Sequence, residues 1–300
     1  MRTASFTQNS LLASFQFVPR HYSASDHQIF SLQDFLDRCQ KLLVLTGAGI
    51  STESGIPDYR SEGVGLYATS TRRPIQYQDF LKSPPTRQRY WARNYVGWPK
   101  FASMQPNAGH KTLAMWESNP RLQKIVTQNV DRLHSKAGSH EVIELHGTAY
   151  EVLCLKCGHA LDRHTFQDIL RELNPHIEHS KTNVRPDGDV EIEDEVVRNF
   201  KVPSCCICQV GIMKPNIVFF GDNVPKARVE QVKTLVSESD AVLVAGSSLY
   251  VYSGYRILLQ AREHCIPIAI VNIGPTRADH FADLKVSARC GEVLPKLYLH

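Results

Sequence analysis

Short apolar segments recur along this chain and alternate with longer segments of helical periodicity. The apolar runs lie at residues 42–45, 124–127, 142–145, 241–245 and 267–271. Parallel strands that are buried on both faces read as such continuous runs, so these segments predict strands of a parallel sheet. Helices are predicted between them, at residues 77–81, 86–104, 106–116, 226–239 and 253–264. The alternation predicts an α/β fold with a doubly wound, Rossmann-like parallel sheet.

A further helix is predicted at the start of the folded part. Leu32, Phe35 and Leu36 form an apolar face, and Ser31 followed by Asp34 resembles a helix cap. The first helix is therefore expected to start at Ser31 and to end before the strand at residue 42.

The first predicted strand runs directly into Gly47-Ala48-Gly49. Glycines at the end of a strand allow a tight turn and let a phosphate approach the backbone amides, as at the start of a dinucleotide site. Residue 52 is Thr, however, where the usual G-x-G-x-x-G pattern needs a third glycine. A strand-end turn without a ligand stays open on these residues alone, and residues 55–60 read as loop.

Composition excludes several classes of protein. The 300 residues can form one large domain or one domain with an insert. A net charge of +4 is too small to indicate a nucleic-acid partner. No apolar run approaches the roughly 20 residues of a membrane span, so no membrane association is predicted. We expect a monomer.

The first 25 residues differ from the rest of the chain. They contain no Asp or Glu, two Arg and several Ser, and Leu11, Leu12, Phe15 and Val18 fall on one helical face. This composition is typical of a mitochondrial transit peptide that is disordered or removed, and it predicts a matrix protein. The sequence around Tyr22 resembles a matrix-protease site, with cleavage after Tyr22. A disordered tail is the alternative.

The cysteines predict a metal site inserted into the sheet domain. Cys154 and Cys157 form one C-x-x-C pair, and Cys205 and Cys208 form another. Two such pairs give a tetrahedral thiolate site for Zn²⁺, with no open position for catalysis. The zinc module is predicted over residues 150–212, within a domain of residues 26–300. Four unligated thiols are the alternative, and Cys39, Cys265 and Cys290 are predicted to be single packed thiols.

Polar residues follow two neighbouring predicted strands. Gln128, Asn129 and Asp131 come after the strand at 124–127, and His146 ends the next one. Open α/β sheets bind ligands at this edge, and a histidine there can act as a general base. His110 and His134 are assigned to structural roles, since most of the 13 histidines must be structural or on the surface.

Taken together and in order, these motifs resemble those of the sirtuins, a family of NAD-dependent protein-lysine deacylases. The set is completed by residues 214–221, Lys-Pro-Asn-Ile-Val-Phe-Phe-Gly, and by Gly246-Ser247-Ser248. The resemblance extends from about residue 32 to the C-terminus. Tyr59, Asn216 and the long segment between the cysteine pairs make the chain most similar to the mitochondrial class II sirtuins of vertebrates, described as lipoamidases and ADP-ribosyltransferases.

The resemblance implies the following chemistry. NAD is consumed as a co-substrate, the acyl-lysine oxygen attacks C1′ of the nicotinamide ribose, and the products are lysine, nicotinamide and O-acyl-ADP-ribose. Asn129 would hold the ribose, Asp131 with the backbone near Ile56 would hold the carboxamide, and His146 would be the general base. The other residues implied for the NAD site are Gly47, Ala48, Gly49, Asp58, Tyr59, Arg60, Gln128, Gly246, Ser247, Ser248, Asn272 and Cys290.

The resemblance also implies a substrate site for acylated mitochondrial proteins. Val218, Phe219 and Gly221 would border the peptide, the first two by strand addition. Tyr90 and Arg93 lie on one face of the long predicted helix and match a Tyr-x-x-Arg pair that binds acidic acyl chains. Lipoyl and glutaryl-type (hydroxymethylglutaryl) chains are therefore expected, with weak removal of acetyl. The alternative for Tyr90 and Arg93 is a packed tyrosine beneath a solvated arginine.

Residues 185–195 carry six acidic side chains and one basic one. Such a run is most often a solvated loop. Its attachment to the zinc module leads us to the hypothesis that it folds over the acyl channel.

Two other functions stay open at this point. Mono-ADP-ribosyl transfer begins by breaking the same bond of NAD, and a non-enzymatic NAD-binding regulator would keep the cofactor site. A dehydrogenase is not favoured because the complete G-x-G-x-x-G pattern is missing.

Overall fold

A computed structural model describes residues 15–71, 73–177 and 184–300. Most of the predicted transit peptide, including Leu11 and Leu12, lies outside the described residues. The main sheet has six parallel strands in the order β3-β2-β1-β7-β8-β9. Their bounds are β1 Leu42–Thr46, β2 Leu122–Thr127, β3 Val142–Glu144, β7 Ala241–Ala245, β8 Ile268–Val271 and β9 Leu284–Val286. The predicted doubly wound parallel sheet is confirmed.

The side chains of β1 show why this sheet needs helices on both faces. Leu42 and Val44 belong to a core layer that contains α1 (Asp26–Arg38) and α5 (Ala108–Trp116). Leu43 and Leu45 belong to the opposite layer, with α9 (Lys226–Glu238) and α10 (Tyr252–Glu263). All four side chains are fully buried. Strict alternation of burial is absent because both faces are covered, and the strand therefore reads as one apolar run.

A second, smaller sheet interrupts the main one. Its three antiparallel strands have the order β5-β4-β6, with bounds β4 Gly147–Cys154, β5 Ala160–Asp162 and β6 Met213–Ile217. It packs with α4 (Pro84–Ser103) and α7 (Arg163–Leu173), where Trp91 and Phe166 lie 4.7 Å apart between ring centroids. The Trp91 indole N–H donates to the Met213 carbonyl at 3.0 Å, which ties the long helix to this sheet. The division into domains at residues 150–212 stays a prediction.

The remaining helices are short, with bounds α2 Leu66–Thr69, α3 Tyr77–Lys82, α6 Leu133–Lys136, α8 Asp194–Asn199 and α11 Cys290–Val293. The helices predicted at 77–81, 86–104, 226–239 and 253–264 are confirmed with small shifts of their ends. The helix predicted from Pro106 begins two residues later, because the Asn107 side chain accepts from the amides of Gly109 and His110 and so caps it.

The predicted start of the first helix was wrong. The helix begins at Asp26, because Ser25 and Gln28 form a reciprocal capping box: the Gln28 amide donates to Ser25 Oγ at 3.3 Å, and the Ser25 amide donates to Gln28 Oε1 at 3.0 Å. Ser31 lies inside the helix, where its hydroxyl donates to the His27 carbonyl.

Candidate active site

A cavity of about 1370 Å³ opens at the carboxyl ends of β1, β2 and β7. Ordinary small-molecule pockets measure ~300–1,000 Å³, so this one has room for an extended ligand or for two ligands together. With the exception of Cys290, every residue predicted for the NAD site borders it: Gly47, Ala48, Gly49, Ile56, Asp58, Tyr59, Arg60, Gln128, Gly246, Ser247, Ser248 and Asn272. Cys290 is buried beside it, and its thiol donates to the Val271 carbonyl at 3.7 Å.

The loops after β1 and β7 meet in direct backbone contact. The Gly49 amide donates to the Gly246 carbonyl at 2.8 Å. Gly246 has φ 66°, and a Cβ atom there would lie 2.1 Å from the Ile50 nitrogen. Only glycine satisfies both conditions. The contact sets the position of the 3₁₀ helix Ala48–Ser54, which begins at the cavity wall.

Three polar side chains form a bonded group on the cavity wall. Asn129 Nδ2 donates to the Gly47 carbonyl and to Ser51 Oγ, both at 3.0 Å. The Ser51 hydroxyl donates to Asp131 Oδ2 at 2.7 Å, and the Leu133 amide donates to Asp131 Oδ1 at 2.9 Å. Burial raises the pKa of Asp131, although these hydrogen bonds act against it. These hydrogen bonds hold Asn129 and Asp131 in fixed positions. A ligand in the cavity would supply their remaining hydrogen-bond partners.

His146 follows β3 and borders the same cavity, next to Gln128. Its Nδ1 is 2.9 Å from the Gln128 carbonyl, which can only accept, so Nδ1 carries the proton. Nε2 then presents a lone pair, which accepts from the Ser253 hydroxyl at 2.7 Å. Burial lowers the pKa of His146 to about 4. The imidazole is thus neutral near pH 7, in the tautomer that a general base needs.

His110 and His134 lie behind the wall, as the structural assignment predicted. Both are almost fully buried, with ring centroids 4.9 Å apart. His134 Nε2 lies 2.9 Å from Thr46 Oγ1, and His110 Nε2 lies 3.5 Å from Ser51 Oγ. Burial lowers the pKa of both, so they support the strand ends as neutral groups.

The predicted substrate segment borders the same cavity. Val218, Phe219 and Gly221 all line it. The Val218 amide donates to the His146 carbonyl at 2.8 Å, and the Asp222 amide donates to the Phe219 carbonyl at 3.0 Å. These bonds hold the segment beside the catalytic candidate, and they leave other backbone groups for a peptide.

Tyr90 and Arg93 lie behind the cavity wall, and their role in acyl recognition stays a prediction. Tyr90 packs against Phe80 and Phe219, and its buried hydroxyl has no partner among the described residues. Arg93 is 6% exposed and points to the acidic insert: its Nε donates to the Val190 carbonyl at 2.7 Å and lies 3.0 Å from Asp189 Oδ1. Neither residue is among those that line the cavity. The ion pairs of Arg93 are formed with carboxylates of the insert.

The first part of the insert, residues 184–190, is largely buried, whereas Glu191, Glu193, Asp194 and Glu195 are exposed as in a solvated loop. Arg185 is 6% exposed and pairs with Asp189 and Glu191. Burial, together with the neighbouring Asp187, raises the pKa of the Asp189 carboxyl to about 7. Pro186 and Asp187 border the cavity. The charged run is therefore folded around two buried arginines, with its tip at the site.

Several residues of the site were missed in the sequence. Ser51, Ser253, Tyr250 and Arg256 all border the cavity. Ser51 and Ser253 hydrogen-bond Asp131 and His146, but a serine near a glycine turn carries no distinctive spacing. The Arg60 guanidinium lies between the rings of Tyr67 and Tyr250, 5.2 and 5.3 Å from their centroids. That arrangement depends on tertiary contact and leaves no local pattern.

The four cysteines of the predicted zinc site converge. Their sulfur atoms all lie within 4.8 Å of one another, with Cys154–Cys208 at 3.6 Å and Cys157–Cys205 at 3.7 Å. Zinc–sulfur bonds of ~2.3 Å in a tetrahedron require sulfur atoms about 3.8 Å apart, so the cluster fits a zinc ion. Cys206 is exposed and outside the cluster, and Cys39 and Cys290 are packed thiols as predicted. Cys265 is exposed, so its predicted packing was wrong: it lies just beyond the end of α10 with φ 55°.

No helix among the described residues is long and apolar enough to cross a membrane.

Comparisons with known proteins agree with the site. The Sir2 family profile matches residues 47–253. The NAD-dependent protein deacylase Sirt4 of Drosophila melanogaster is 55% identical over 99% of this chain and 95% of its own. The human NAD-dependent protein lipoamidase sirtuin-4, mitochondrial, is 54% identical over 93% of this chain and 88% of its own. A solved structure described as Sir2-p53 peptide-NAD+ superposes with a TM-score of 0.68 at 29% identity, covering 89% of this chain and 95% of that one.

The cysteine cluster generates the first prediction. Replacing Cys154 with Ser (Cys154→Ser) removes a buried ligand, and we expect loss of the bound zinc together with a lower melting temperature, since metal binding and folding are coupled. Cys206→Ser, the same change at the exposed neighbour, should keep the metal. Elemental analysis and thermal melts of both variants and the parent measure this. Retention of full zinc by Cys154→Ser, or zinc-free parent protein, would contradict it.

Proposed function

The chain belongs to the Sir2 family, and from that membership we propose that it is an NAD-dependent deacylase of lysine side chains in mitochondrial proteins. The observation that carries the proposal is the convergence on one cavity of the bonded Asn129–Ser51–Asp131 group and of a neutral His146 whose unprotonated Nε2 accepts from the Ser253 hydroxyl. NAD is the co-substrate, and zinc is structural. The proposal includes the matrix as location, a monomeric chain and acylated proteins as partners.

Bound NAD supplies the electrophile, C1′ of the nicotinamide ribose. Asn129 is placed to orient the ribose, and Asp131, fixed by Ser51 and the Leu133 amide, to orient the carboxamide of the leaving nicotinamide. His146 accepts a proton at Nε2 from a ribose hydroxyl, while Nδ1 keeps its bond to the Gln128 carbonyl. The resulting imidazolium is buried, so it returns the proton readily.

His146 generates the test of the reaction class. His146→Ala removes the base, and we expect deacylation to fall by about 10²–10⁴-fold while nicotinamide release is reduced less, because bond cleavage precedes proton removal. His264→Ala, at an exposed histidine that ends α10, is the matched control. Acyl-lysine peptides with NAD are assayed, quantifying nicotinamide and free lysine peptide separately.

The two products separate the alternatives. If nicotinamide is released and ADP-ribosylated protein forms in equal amount, without free lysine peptide, the activity is ADP-ribosyl transfer and not deacylation. NAD binding without either product would leave only a regulator.

Burial of His146 generates a prediction about pH. The charged form is disfavoured, so the base stays deprotonated as the pH falls, and activity is lost only near the lowered pKa of about 4. We expect the acid limb of the kcat/KM profile to have its midpoint below 6.5, the ordinary value for histidine. Circular dichroism at each pH separates this limb from unfolding. A midpoint at or above 6.5 with the fold intact would contradict the neutral, buried base.

The insert gives the acyl specificity a structural basis. We propose that its tip, Pro186 and Asp187, forms part of the acyl channel and that Arg93 and Arg185 hold it there. Lipoyl, glutaryl-type and hydroxymethylglutaryl chains with weak acetyl removal remain the proposed range. Arg93 is paired with Asp189 and Glu191, and Asp187 adds a carboxylate to the cavity wall. Long neutral acyl chains therefore fit this wall better than acidic acyl chains.

Anchoring of the insert can be separated from acyl recognition by changes on α4. Arg93→Met should release the insert and lower kcat/KM on lipoyl, acetyl and glutaryl-type peptides by similar factors, about tenfold or more, since breaking one side of a buried ion pair costs ~3–5 kcal/mol. Gly97→Ala should also release the insert and lower kcat/KM on all three peptides, without a change of charge. The added Cβ would lie 2.3 Å from the Gly188 carbonyl oxygen.

Arg89→Met makes the same substitution at an exposed position of α4 and should have no effect. Hydrogen exchange of residues 184–192 reports whether the insert is released. A loss confined to acidic acyl chains, with the insert still protected, would instead assign Arg93 to acyl recognition.

A further inference from the structure

Residues 15–22, here called the N-terminal strap, lie against the folded domain. The strap starts with a turn, in which the Val18 amide donates to the Phe15 carbonyl at 3.1 Å, and continues without helix or strand to α1. Five of its residues, 18 to 22, border the large cavity. The sequence predicted that this segment is part of a removable leader, so its place at the site is unexpected.

One arginine anchors the strap at two points. Arg289 Nε donates to His21 Nε2 at 2.9 Å, and the Arg289 guanidinium carbon lies 4.5 Å from the centroid of the Phe15 ring. His21 Nδ1 lies 3.0 Å from the Pro19 carbonyl, which can only accept, so Nδ1 donates and Nε2 is free to accept from Arg289. The orientation of the ring is thereby fixed.

The anchor itself is braced by two carboxylates. Arg289 pairs with Glu53 at 3.2 Å and with Glu292 at 3.5 Å. Glu292 also accepts from the Ala24 amide at 3.2 Å, which fixes the chain where the strap ends. The strap, the 3₁₀ helix after β1 and the N-terminal end of α11 are thus joined in one polar network.

The strap covers one end of the cavity. Asn272, Ile273 and Ser287, which follow β8 and β9, line this end together with Val18 and Pro19. A small adjoining cavity is lined by Pro19, Gly246, Asn272 and Arg289 among others. His146 and Asn129 belong to the opposite side, after β3 and β2. A dinucleotide lies across the strand ends of such a sheet, so with its nicotinamide ribose at Asn129 its adenosine reaches the strap.

We propose that the N-terminal strap is a wall of the NAD site that holds the adenosine half, with His21 and Arg289 as positioning residues. This rests on the proposed function. The strap is a wall and not a plug, because the cavity keeps about 1370 Å³ with the strap in place. Val18 and Pro19 give an apolar surface against which a purine can pack.

The proposal has a consequence for processing of the leader. Cleavage after Tyr22 would remove the whole strap, including both contacts of Arg289. The working enzyme must therefore keep its chain from at least Phe15, and removal of a leader must end before that residue. Mass spectrometry of the N-terminus of protein from mitochondria examines this directly.

The decisive experiment compares three versions of the chain: residues 1–300, 15–300 and 25–300, the last keeping the Ser25 cap. Residues 15–300 should behave like the full chain. Residues 25–300 should show a KM for NAD that is raised by about tenfold, equivalent to ~1.4 kcal/mol of binding free energy, with kcat within about a factor of two. ADP-ribose, titrated calorimetrically, should lose affinity by the same factor, whereas inhibition by nicotinamide should not change.

Point variants keep the test independent of any instability of the shortened chain. His21→Ala and Phe15→Ala should each raise the NAD KM in the same sense, and Phe30→Ala, at a residue of α1 that is 72% exposed, should not. An unchanged NAD KM in both variants and in 25–300 would overturn the proposal, and a lowered KM would make the strap an inhibitory plug. If the full chain shows no deacylation, only the proposed function is contradicted. The ADP-ribose affinities would still show whether the strap contributes to binding.

Discussion

The close contact between the loops after β1 and β7 determines where the rest of the site can lie. The Gly49 amide and the Gly246 carbonyl are 2.8 Å apart, and there is no room for a side chain at residue 246. At this pair of central strands the chain order of the sheet reverses, so loops diverge to either side and leave a crevice. The segment that ends and follows β6, residues 217–224, and Pro186 and Asp187 of the insert also border the cavity.

Burial then determines the chemistry of the groups around the cavity. Burial lowers the pKa of His146, so the imidazole is neutral near pH 7, and its tautomer is fixed because the Gln128 carbonyl accepts only from Nδ1. Asp131 receives hydrogen bonds from Ser51 and Leu133, and no cation among the described residues forms an ion pair with it. Binding of a positively charged nicotinamide group can therefore supply the missing charge.

The sequence revealed those features whose cause is local. Strands with both faces covered are continuous apolar runs in the sequence, so the sheet could be predicted. The C-x-x-C pairs are recognised from their spacing in the sequence, so the metal cluster could be predicted as well. β9 was missed because its three residues include a lysine and form no apolar run. The start of α1 was misplaced because two serines compete as caps, and only the one followed by Gln28 is reciprocated.

Features that depend on contacts between distant segments could not be predicted. Arg93 has the sequence spacing of a residue that binds acyl chains. In the structure, however, it pairs with carboxylates that lie almost a hundred positions later in the chain. Arg93 pairs there with the largely buried Asp189 and the exposed Glu191. Residues 15–22 have the composition of a leader, and composition does not show that Arg289 binds them.

The insert and the strap both border one cavity, and arginines that form ion pairs hold each of them there. Each is a segment of low regularity, each is fixed by buried or half-buried arginines, and each contributes a few residues to the wall. A loop anchored by ion pairs can change its tip without disturbing the sheet, since its position depends on the anchor and not on the strand ends. The central strands therefore hold the reacting groups, which tolerate no displacement, while the anchored segments shape the space for the two variable parts of the complex. In the functions proposed above, these parts are the acyl chain beside the insert and the adenosine end of the co-substrate beside the strap.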